Sequence, residues 1–443
     1  MGSSGRLDKT FIISGIATIG VFGKLKVWII QTGEPLNIDG GSPRPMRAIN
    51  LANALIAAGH EVVLWSSTFD HIRKNHRYKE NTTIEFSDQF TIRLIHSPGY
   101  RKNIGLDRLV DHAVFAYQLH KVLLDADLDV PDVGFVGYPP IESSFVIGKW
   151  FNKHNVPYII DVKDQWPHIF LEPFHKSFRP VVKFFLTPYY ALSLRAIRGA
   201  HGICSMSDQF TDWVCDFVGR RRNERDIAVP LTAPRVPFSI DALTEARAWW
   251  RTQHVDLTNK NRVCFIGSLS NAFDFQIVRE VALRCLEKQL NVQFVICGDG
   301  NSRAEVADLF LGLRNVVMPG WIDAPKIAAL AASCVATIAP YINNDAFMRS
   351  IPNKILDSLS HGLPVITTLQ GTVKNLIESN DIGIYAESCD VVVNYLVKLT
   401  KGESFMNEVA DRANNLYFCK FSPVAAYNYL VRQLEEASKV QHV

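Results

Sequence analysis

The segment Pro352–Thr367, PNKILDSLSHGLPVIT, holds a turn, a short helix and a strand in sixteen residues. Pro352, preceded by Ser350, sets up a helix starting near Asn353, because proline suits the position where a helix begins. Ile355, Leu356 and Leu359 fall on one side of that helix and point to a core. Lys354, Asp357 and His361 share another face by their i, i+3, i+7 spacing. Gly362 ends the helix, and LPVIT returns to a sheet. Unpaired N–H groups at a helix start attract phosphate, and Lys354 adds a cation, with Arg349 just upstream. An acceptor-only carboxylate one turn further in, Asp357, can take both hydroxyls of a ribose. The same pattern also fits an ordinary amphipathic helix carrying a surface Asp.

Working outward, strands and helices alternate through the chain. Near its start, VWIIQT reads as a strand buried on both faces, GEPLNIDGGSPRP as a turn-rich loop, MRAINLANALIAAGH as a helix and EVVLWSS as the next strand. VGFVGYPP, VPYIIDVKD and HGICSMS continue the series. Alternation of this kind implies parallel sheets covered by helices. Residues 226–261 are rich in proline and polar residues, with a helix at Ala242–His254, and read as a connection. A second alternating series follows, from NRVCFIGS through NVQFVICGDG and NVVMPG to CVATIAPY and LPVITT.

The expected division is therefore an N-terminal extension (1–25), a Rossmann-like domain (26–225) and the connection (226–261). A second Rossmann-like domain (262–404) and a helical tail (405–443) complete it. The tail is expected to pack back toward the first domain. For residues 1–25 two readings stand: a short membrane-seeking appendage around Phe11–Gly23, or an extension upstream of a chain that begins near Leu25.

Bulk numbers narrow the function classes. With 443 residues, 47% of them hydrophobic, the chain has material for two or three packed domains. A net charge of +3 is too mild for a nucleic-acid binder, so no nucleic-acid partner is expected. The eight cysteines include no C-x-x-C pair, so no zinc or other metal site is expected. Cys264 and Cys297, inside apolar runs, read as buried thiols in a reducing compartment. No stretch is long and apolar enough to span a bilayer.

The Pro352–Thr367 run resembles the donor-binding helix of family 4 retaining glycosyltransferases. Their motif is E-x7-E, then small residues, Gly and an apolar strand. The resemblance extends in element order over about residues 26–400 and implies the GT-B fold, two Rossmann-like domains facing a cleft. The family's second carboxylate falls on Asp357, implied to hold ribose; the first Glu falls on Arg349, a departure. Handling of the sugar ring would then shift to Asp345 or to N–H groups of the 347–351 loop, with Ser350 and Ile351 in the donor site. FIGS, ending at Ser268, resembles the strand-end loop that opens the family's C-terminal domain, although its usual Arg and Lys are absent. CGDGN resembles the family's Gly-x-Gly turn and puts Gly298 and Asp299 in the donor site. GWI, with Trp321 and Ile322, resembles the base-contacting loop.

KVWIIQTGEPLNIDGGSPRPMR resembles the N-terminus of bacterial O-antigen and capsule glycosyltransferases. Gly40 and Gly41 would let backbone approach the donor, and Arg44 and Arg47 would face the cleft mouth and the acceptor. DVKDQWP resembles those enzymes' D-x-W-P element. Asp164 is the candidate catalytic carboxylate, able to orient or deprotonate the acceptor hydroxyl; Lys163 and Trp166 lie beside it as acceptor contacts. A capping role for Asp164 on the next helix remains open.

Residues 171–199 mix bases with aromatics, as an interfacial membrane contact does, with Arg73, Lys74 and Arg77 as further cations. Helices packed on the sheet with snorkelling bases fit equally. The implied enzyme transfers a sugar, with retention, from a nucleotide-diphosphate sugar, most readily a UDP-sugar, and uses no cofactor. Its acceptor is a saccharide or a polyprenyl-diphosphate-linked saccharide. The expected place is the cytoplasm, peripheral on the inner face of the membrane, in lipopolysaccharide, O-antigen or capsule synthesis. Rival readings are a nucleotide-sugar epimerase of the same fold and a non-catalytic scaffold. A dinucleotide-dependent dehydrogenase fits less well, because no G-x-G-x-x-G follows the first strand.

Overall fold

The computed structural model describes residues 23–40, 45–102, 105–235 and 237–439. The expectations for Gly41, Arg44 and nearly all of the N-terminal extension lie outside the described residues.

The N-terminal half contains the strands β1 (Lys26–Ile30), β2 (Glu61–Ser67), β3 (Phe69–Asp70), β4 (Asn75–His76), β5 (Thr82–Ser87), β6 (Phe90–Ile95), β7 (Val133–Tyr138), β8 (Tyr158–Val162), β9 (Gly202–Ser205) and β10 (Ile227–Ala228). Its helices are α1 (Arg47–Ala57), α2 (Leu106–Val122), α3 (Ile141–Lys153), α4 (Arg179–Phe185), α5 (Thr187–Arg198) and α6 (Asp208–Val218). The connection carries α7 (Ile240–Thr252). In the C-terminal half lie β11 (Arg262–Ile266), β12 (Gln293–Cys297), β13 (Val316–Gly320), β14 (Cys334–Ala339), β15 (Val365–Thr367) and β16 (Gly383–Tyr385). Between and after them come α8 (Gln276–Glu287), α9 (Arg303–Leu309), α10 (Ala324–Ala331), α11 (Asp345–Met348), α12 (Asn353–Ser360), α13 (Thr372–Asn380) and α14 (Cys389–Lys401). The tail is α15 (Glu403–Leu416) and α16 (Pro423–Ser438).

The first sheet runs β10-β9-β8-β7-β1-β2-β6-β5, and the second β13-β12-β11-β14-β15-β16. Every pairing in them is parallel except β5 with β6. Strands buried on both faces explain the near-continuous apolar runs such as VWII and QFVIC. The antiparallel β5 sits at an edge, and its pattern of mostly exposed residues fits that place.

In each sheet the strand order reverses once. The first reverses between β1 and β7, the second between β11 and β14. Chains leaving the two flanking strands there depart in opposite directions, which opens a crevice at the strand C-terminal ends. Lys354 and Asp357 lie in the second of these crevices, and Lys163 and Asp164 in the first.

Two boundaries differ from the sequence reading. β10, in the stretch read as connection, adds a last parallel strand to the first sheet through Ile227 and Ala228. α7 belongs physically with the second domain: Trp250 is buried and its indole Nε1 donates to Lys326 O at 2.9 Å. The tail divides. α15 packs on the second domain, while α16 returns to the first, where Tyr427, Leu430 and Leu434 join the core under α1. His60 Nε2 lies 3.0 Å from Glu435 and fixes that return. The chain thus crosses between the halves twice.

Candidate functional site

The second crevice lies between α10 and α12, over the face of β11 and β14. Its volume is about 810 Å³. α12 is held rigidly because Ile355, Leu356 and Leu359 are fully buried beneath it, each side chain contributing roughly 1.5–3 kcal/mol on burial. That anchoring turns Lys354 and Asp357 into the crevice. Gly362 follows at φ +65°, where a Cβ would press on Asn414, so only glycine ends the helix cleanly here.

Lys354 Nζ donates to Ile266 O at 2.6 Å and stands 4.4 Å and 5.0 Å from the ring centres of Phe265 and Phe273. Burial pulls its ammonium down to about 8, and Asp357 opposes that shift. A positive charge thus sits at the tip of β11, beside the first turn of α12 and its N–H groups. Gly267 is the enabling residue, since a Cβ there would overlap Lys354 Nζ. Gly298 meets Gly267 backbone to backbone at φ +142°, so the β11 and β12 loops nest without side chains between them.

The far wall is apolar and small. Ala324, Ile327 and Ala328 of α10 face Leu243 of α7, and Arg247 also lines the space. Pro45, from the first half, closes the crevice from across the cleft. The connection braces this end: Arg235 donates to Ser360 O at 2.6 Å and to Asn414 Oδ1 at 2.7 Å.

The first crevice, about 190 Å³, is polar and lies where β1, β2, β7 and β8 end. Asp164 and Lys163 line it from β8, Glu34 and Gln31 from β1, and Arg108 and His112 from α2. Lys163 donates to Gln31 Oε1 at 3.0 Å and to Glu34 Oε1, and lies 3.4 Å from Asp161 Oδ2. Burial alone would lower its ammonium, but Glu34 and Asp161 raise it instead. Asp164 is accessible at the pocket, yet the protein packed around it raises its carboxyl above the usual range, with Arg108 and Lys163 opposing. His71 and His112 are held neutral: burial and nearby cations bring them to about 4 and about 3. Behind His112, Glu142 Oε2 approaches its Nδ1 to 3.9 Å.

Several expected site residues fall elsewhere. Arg47 does not face the cleft mouth. It is buried, with NH1 3.4 Å from Asp161 Oδ1 and NH2 donating to Val229 O at 2.6 Å. Burial works against its charge, but Asp161, Cys204, Tyr427 and Glu34 together raise it. The helix start turns Arg47 inward, under the sheet ends, and the ion pair is its compensation there. Trp166, expected as an acceptor contact, does not line the pocket; it is buried, packed at 4.8 Å on Phe170 and under Arg108 at 4.9 Å. Arg77, expected on a basic docking face, is instead paired with Asp39.

On the donor side the outcome is mixed. Trp321 is 72% exposed, Ile322 is buried, and neither lines the crevice; α10, one turn later, forms the wall in their place. Arg349 spends its guanidinium on Asp345, with Nε–Oδ2 and NH2–Oδ1 both 3.1 Å. Its carbonyl accepts from Ser207 Oγ of the first half, so the 349 loop is a contact between domains. Ser350 bonds backward to Ala346 O at 3.0 Å, and Ile351 is buried in the core. Ser268 is exposed at the end of β11. Asp299, also exposed, pairs with Arg303 at 3.3 Å. The carbonyl of Gly40 accepts from Arg73, away from both crevices.

Sequence reasoning missed Glu34, Gln31, Arg108, His71 and His112. Glu34 carried a signal, as a carboxylate just after the first strand. The residues of α2 carried little, because that helix buries few apolar residues and shows weak amphipathy.

Residues 260–401 match a family model described as "Glycosyl transferases group 1". No curated protein matches the chain. Solved structures share its fold at low identity. The glycosyltransferase from Rickettsia africae ESF-5 covers 94% of this chain and 100% of its own, with a TM-score of 0.59 and 13% identity. Anabaena HepE, solved with UDP and glucose, covers 93% and 100%, at 0.56 and 13%. WaaG, a glycosyltransferase involved in lipopolysaccharide biosynthesis, covers 93% and 99%, at 0.54 and 14%. The fold is GT-B, and the stretch that matches the group 1 model lies in its C-terminal half.

Proposed function

We propose that this glycosyltransferase is a retaining enzyme of family 4, moving a sugar from a nucleotide diphosphate to a saccharide acceptor. Its group 1 domain is the premise. The observation that carries the reading is the Lys354–Asp357 face of α12, turned into the crevice where the second sheet reverses. Asp357 holds the ribose hydroxyls, and Lys354 with the α12 N–H groups takes the diphosphate. UDP is the nucleotide, in keeping with the UDP seen in HepE.

Catalysis rests on stabilising the departing diphosphate. Charge grows on its bridging oxygen as the anomeric bond breaks, and fixed donors in a water-poor crevice act on it without reorganising. The acceptor enters the polar pocket of the first half, where Asp164 orients its hydroxyl or takes the proton. Closure of the halves, which meet at Ser207 and the 349 loop, excludes the water that would hydrolyse the donor. The acceptor is lipid-linked, on a polyprenyl diphosphate at the inner face of the cytoplasmic membrane, in bacterial surface polysaccharide synthesis. The fold shared with WaaG supports that setting.

The test is a thermal-shift screen across nucleoside diphosphates and their sugars, since a ligand of the folded state raises the transition. A UDP-sugar is expected to give the largest rise. Absence of any rise, or an unchanged rise in Asp357→Ala, would sink the donor assignment. Isomerised donor without acceptor would instead identify an epimerase.

A further inference from the structure

In the wall of the polar pocket two buried side chains face each other without a bond. His112 of α2 lines the pocket and is 5% exposed. Its Nδ1 stands 3.9 Å from Oε2 of Glu142, which lies in the first turn of α3, behind the lining. Both atoms are shut off from solvent, and neither has a hydrogen-bond partner among the described residues. Buried polar atoms are seldom left so, and each such atom calls for a reason.

The surroundings fix how the pair can be used. Glu142 Oε1 accepts from the Tyr189 hydroxyl of α5 at 2.9 Å, which leaves Oε2 for the imidazole. Burial raises the Glu142 carboxyl, while its own backbone N–H and the Tyr189 hydroxyl favour the charged form. A carboxylate only accepts, so it draws the single proton of a neutral imidazole onto Nδ1. Nε2 then keeps its lone pair and is the ring nitrogen left for the pocket. The ring is packed against Trp166 at 5.4 Å and Tyr100 at 6.4 Å between centres. Burial, Arg108 and His71 hold it neutral, so taking a proton from the acceptor stays with Asp164. A neutral nitrogen with a lone pair in a polar pocket suits a hydroxyl donor.

We infer that His112, oriented by Glu142, selects the acceptor: its Nε2 accepts a hydrogen bond from a second hydroxyl of the saccharide whose first hydroxyl meets Asp164. The inference rests on the reading of this pocket as the acceptor site and deepens it. Glu142 and Tyr189 are positioning residues, since they act through the ring. On binding, the long Nδ1–Oε2 approach closes to a hydrogen bond, as site geometry commonly tightens around a ligand. A sugar without the second hydroxyl leaves Nε2 buried and unpaired, and a site of this kind rejects it for that reason.

The test has two readouts on the full chain. Nitrogen NMR of ring-labelled histidine shows which nitrogen carries the proton, with the His112 signals identified by their loss in His112→Phe. The wild type should hold the Nδ1–H form. Glu142→Gln should hold the Nε2–H form, because Tyr189 keeps Oε1 and the amide nitrogen donates to Nδ1. The second readout is transfer from a UDP-sugar to p-nitrophenyl β-glucoside, β-galactoside and N-acetyl-β-glucosaminide, and to their monodeoxy and deoxyfluoro analogues. One deoxy position should lose about tenfold or more in kcat/KM on the wild type, and at most about twofold on His112→Phe. Fluorine at that position accepts but cannot donate, so the wild type should reject it as strongly as the deoxy sugar. A UDP thermal shift equal to that of the wild type shows that the variants fold. A wild-type proton on Nε2, an unmoved proton in Glu142→Gln, a deoxyfluoro sugar used like its parent, or a deoxy penalty that persists in His112→Phe each overturns the inference. With transfer intact, those results leave the acceptor reading standing; transfer by the wild type to none of the glycosides takes down both.

Discussion

Lys354 should make nucleotide binding depend on pH in a way that can be worked out beforehand. Burial lowers its ammonium from 10.5 to about 8, although Asp357 opposes the change. The difference corresponds to about 3 kcal/mol by the usual conversion. A diphosphate placed beside Nζ restores the preference for the charged form, so binding draws in a proton wherever the free lysine is neutral. If the bound value returns to about 10.5, affinity is nearly flat below pH 7 and falls about tenfold between pH 7 and pH 9. UDP itself keeps constant charge over most of that window. At pH 8 binding should take up about half a proton, visible in calorimetry as a heat that varies with buffer ionisation enthalpy. Lys354→Met should bind UDP more weakly at pH 7 and show neither slope nor proton uptake. Protein stability carries the same signature with its own sign. The unfolded chain binds more protons between pH 8 and 10.5, so the Lys354 contribution to stability rises with pH there, and the full burden of charge burial is present below pH 8. A wild-type Kd constant from pH 7 to 9, or a Met variant that keeps the slope, would refute Lys354 as the diphosphate cation.

Three other outcomes are expected. Asp357→Ala should weaken UDP binding by about 3–6 kcal/mol, two hydrogen bonds to a charged acceptor, and push the ammonium of Lys354 further down by removing the carboxylate that opposes its burial; calorimetry across pH checks both halves. Arg47→Met should cost about 1–3 kcal/mol in urea unfolding, since it leaves Asp161 in the core with Lys163 as its nearby cation, and a repacked double Arg47→Met/Asp161→Leu should not recover the loss, because it removes the carboxylate that Lys163 faces. Asp164→Asn should lower turnover by a factor of about 100 to 10,000 while UDP affinity stays within twofold, read from initial rates and calorimetry; equal turnover would reduce Asp164 to a structural residue.

The frame was legible because its signals are local. Alternating apolar runs and glycine-ended helices announce two parallel sheets, and the PNKILDSLSHG spacing by itself sets Lys354 and Asp357 on one side and Ile355, Leu356 and Leu359 on the other. What stayed hidden depends on tertiary placement. Nothing in the spacing of Arg47 distinguishes a cleft arginine from one buried against Asp161, because their partnership spans more than a hundred residues. Trp321 looks like a base contact from its loop, but the crevice is formed by the helix after it. α2 escaped notice because its pocket residues Arg108 and His112 are interleaved with both buried apolar residues, Phe115 and Leu119, and exposed ones, Leu106 and Val110, so its amphipathic pattern is weak.

The departure at Arg349 becomes intelligible once its partners are known. In the family pattern a carboxylate stands at this position. Here the guanidinium is held on both sides by Asp345, one helical turn earlier, so a carboxylate is still present on the loop but its charge is neutralised. A free carboxylate beside a diphosphate would work against the negative charge that grows on leaving, so neutralising the 349 loop suits a crevice whose cation near the β11 tip is Lys354. The carbonyl of Arg349 has meanwhile become the atom that Ser207 grips from the other domain. The position therefore carries a side-chain pair within its own loop and a backbone contact to the other half.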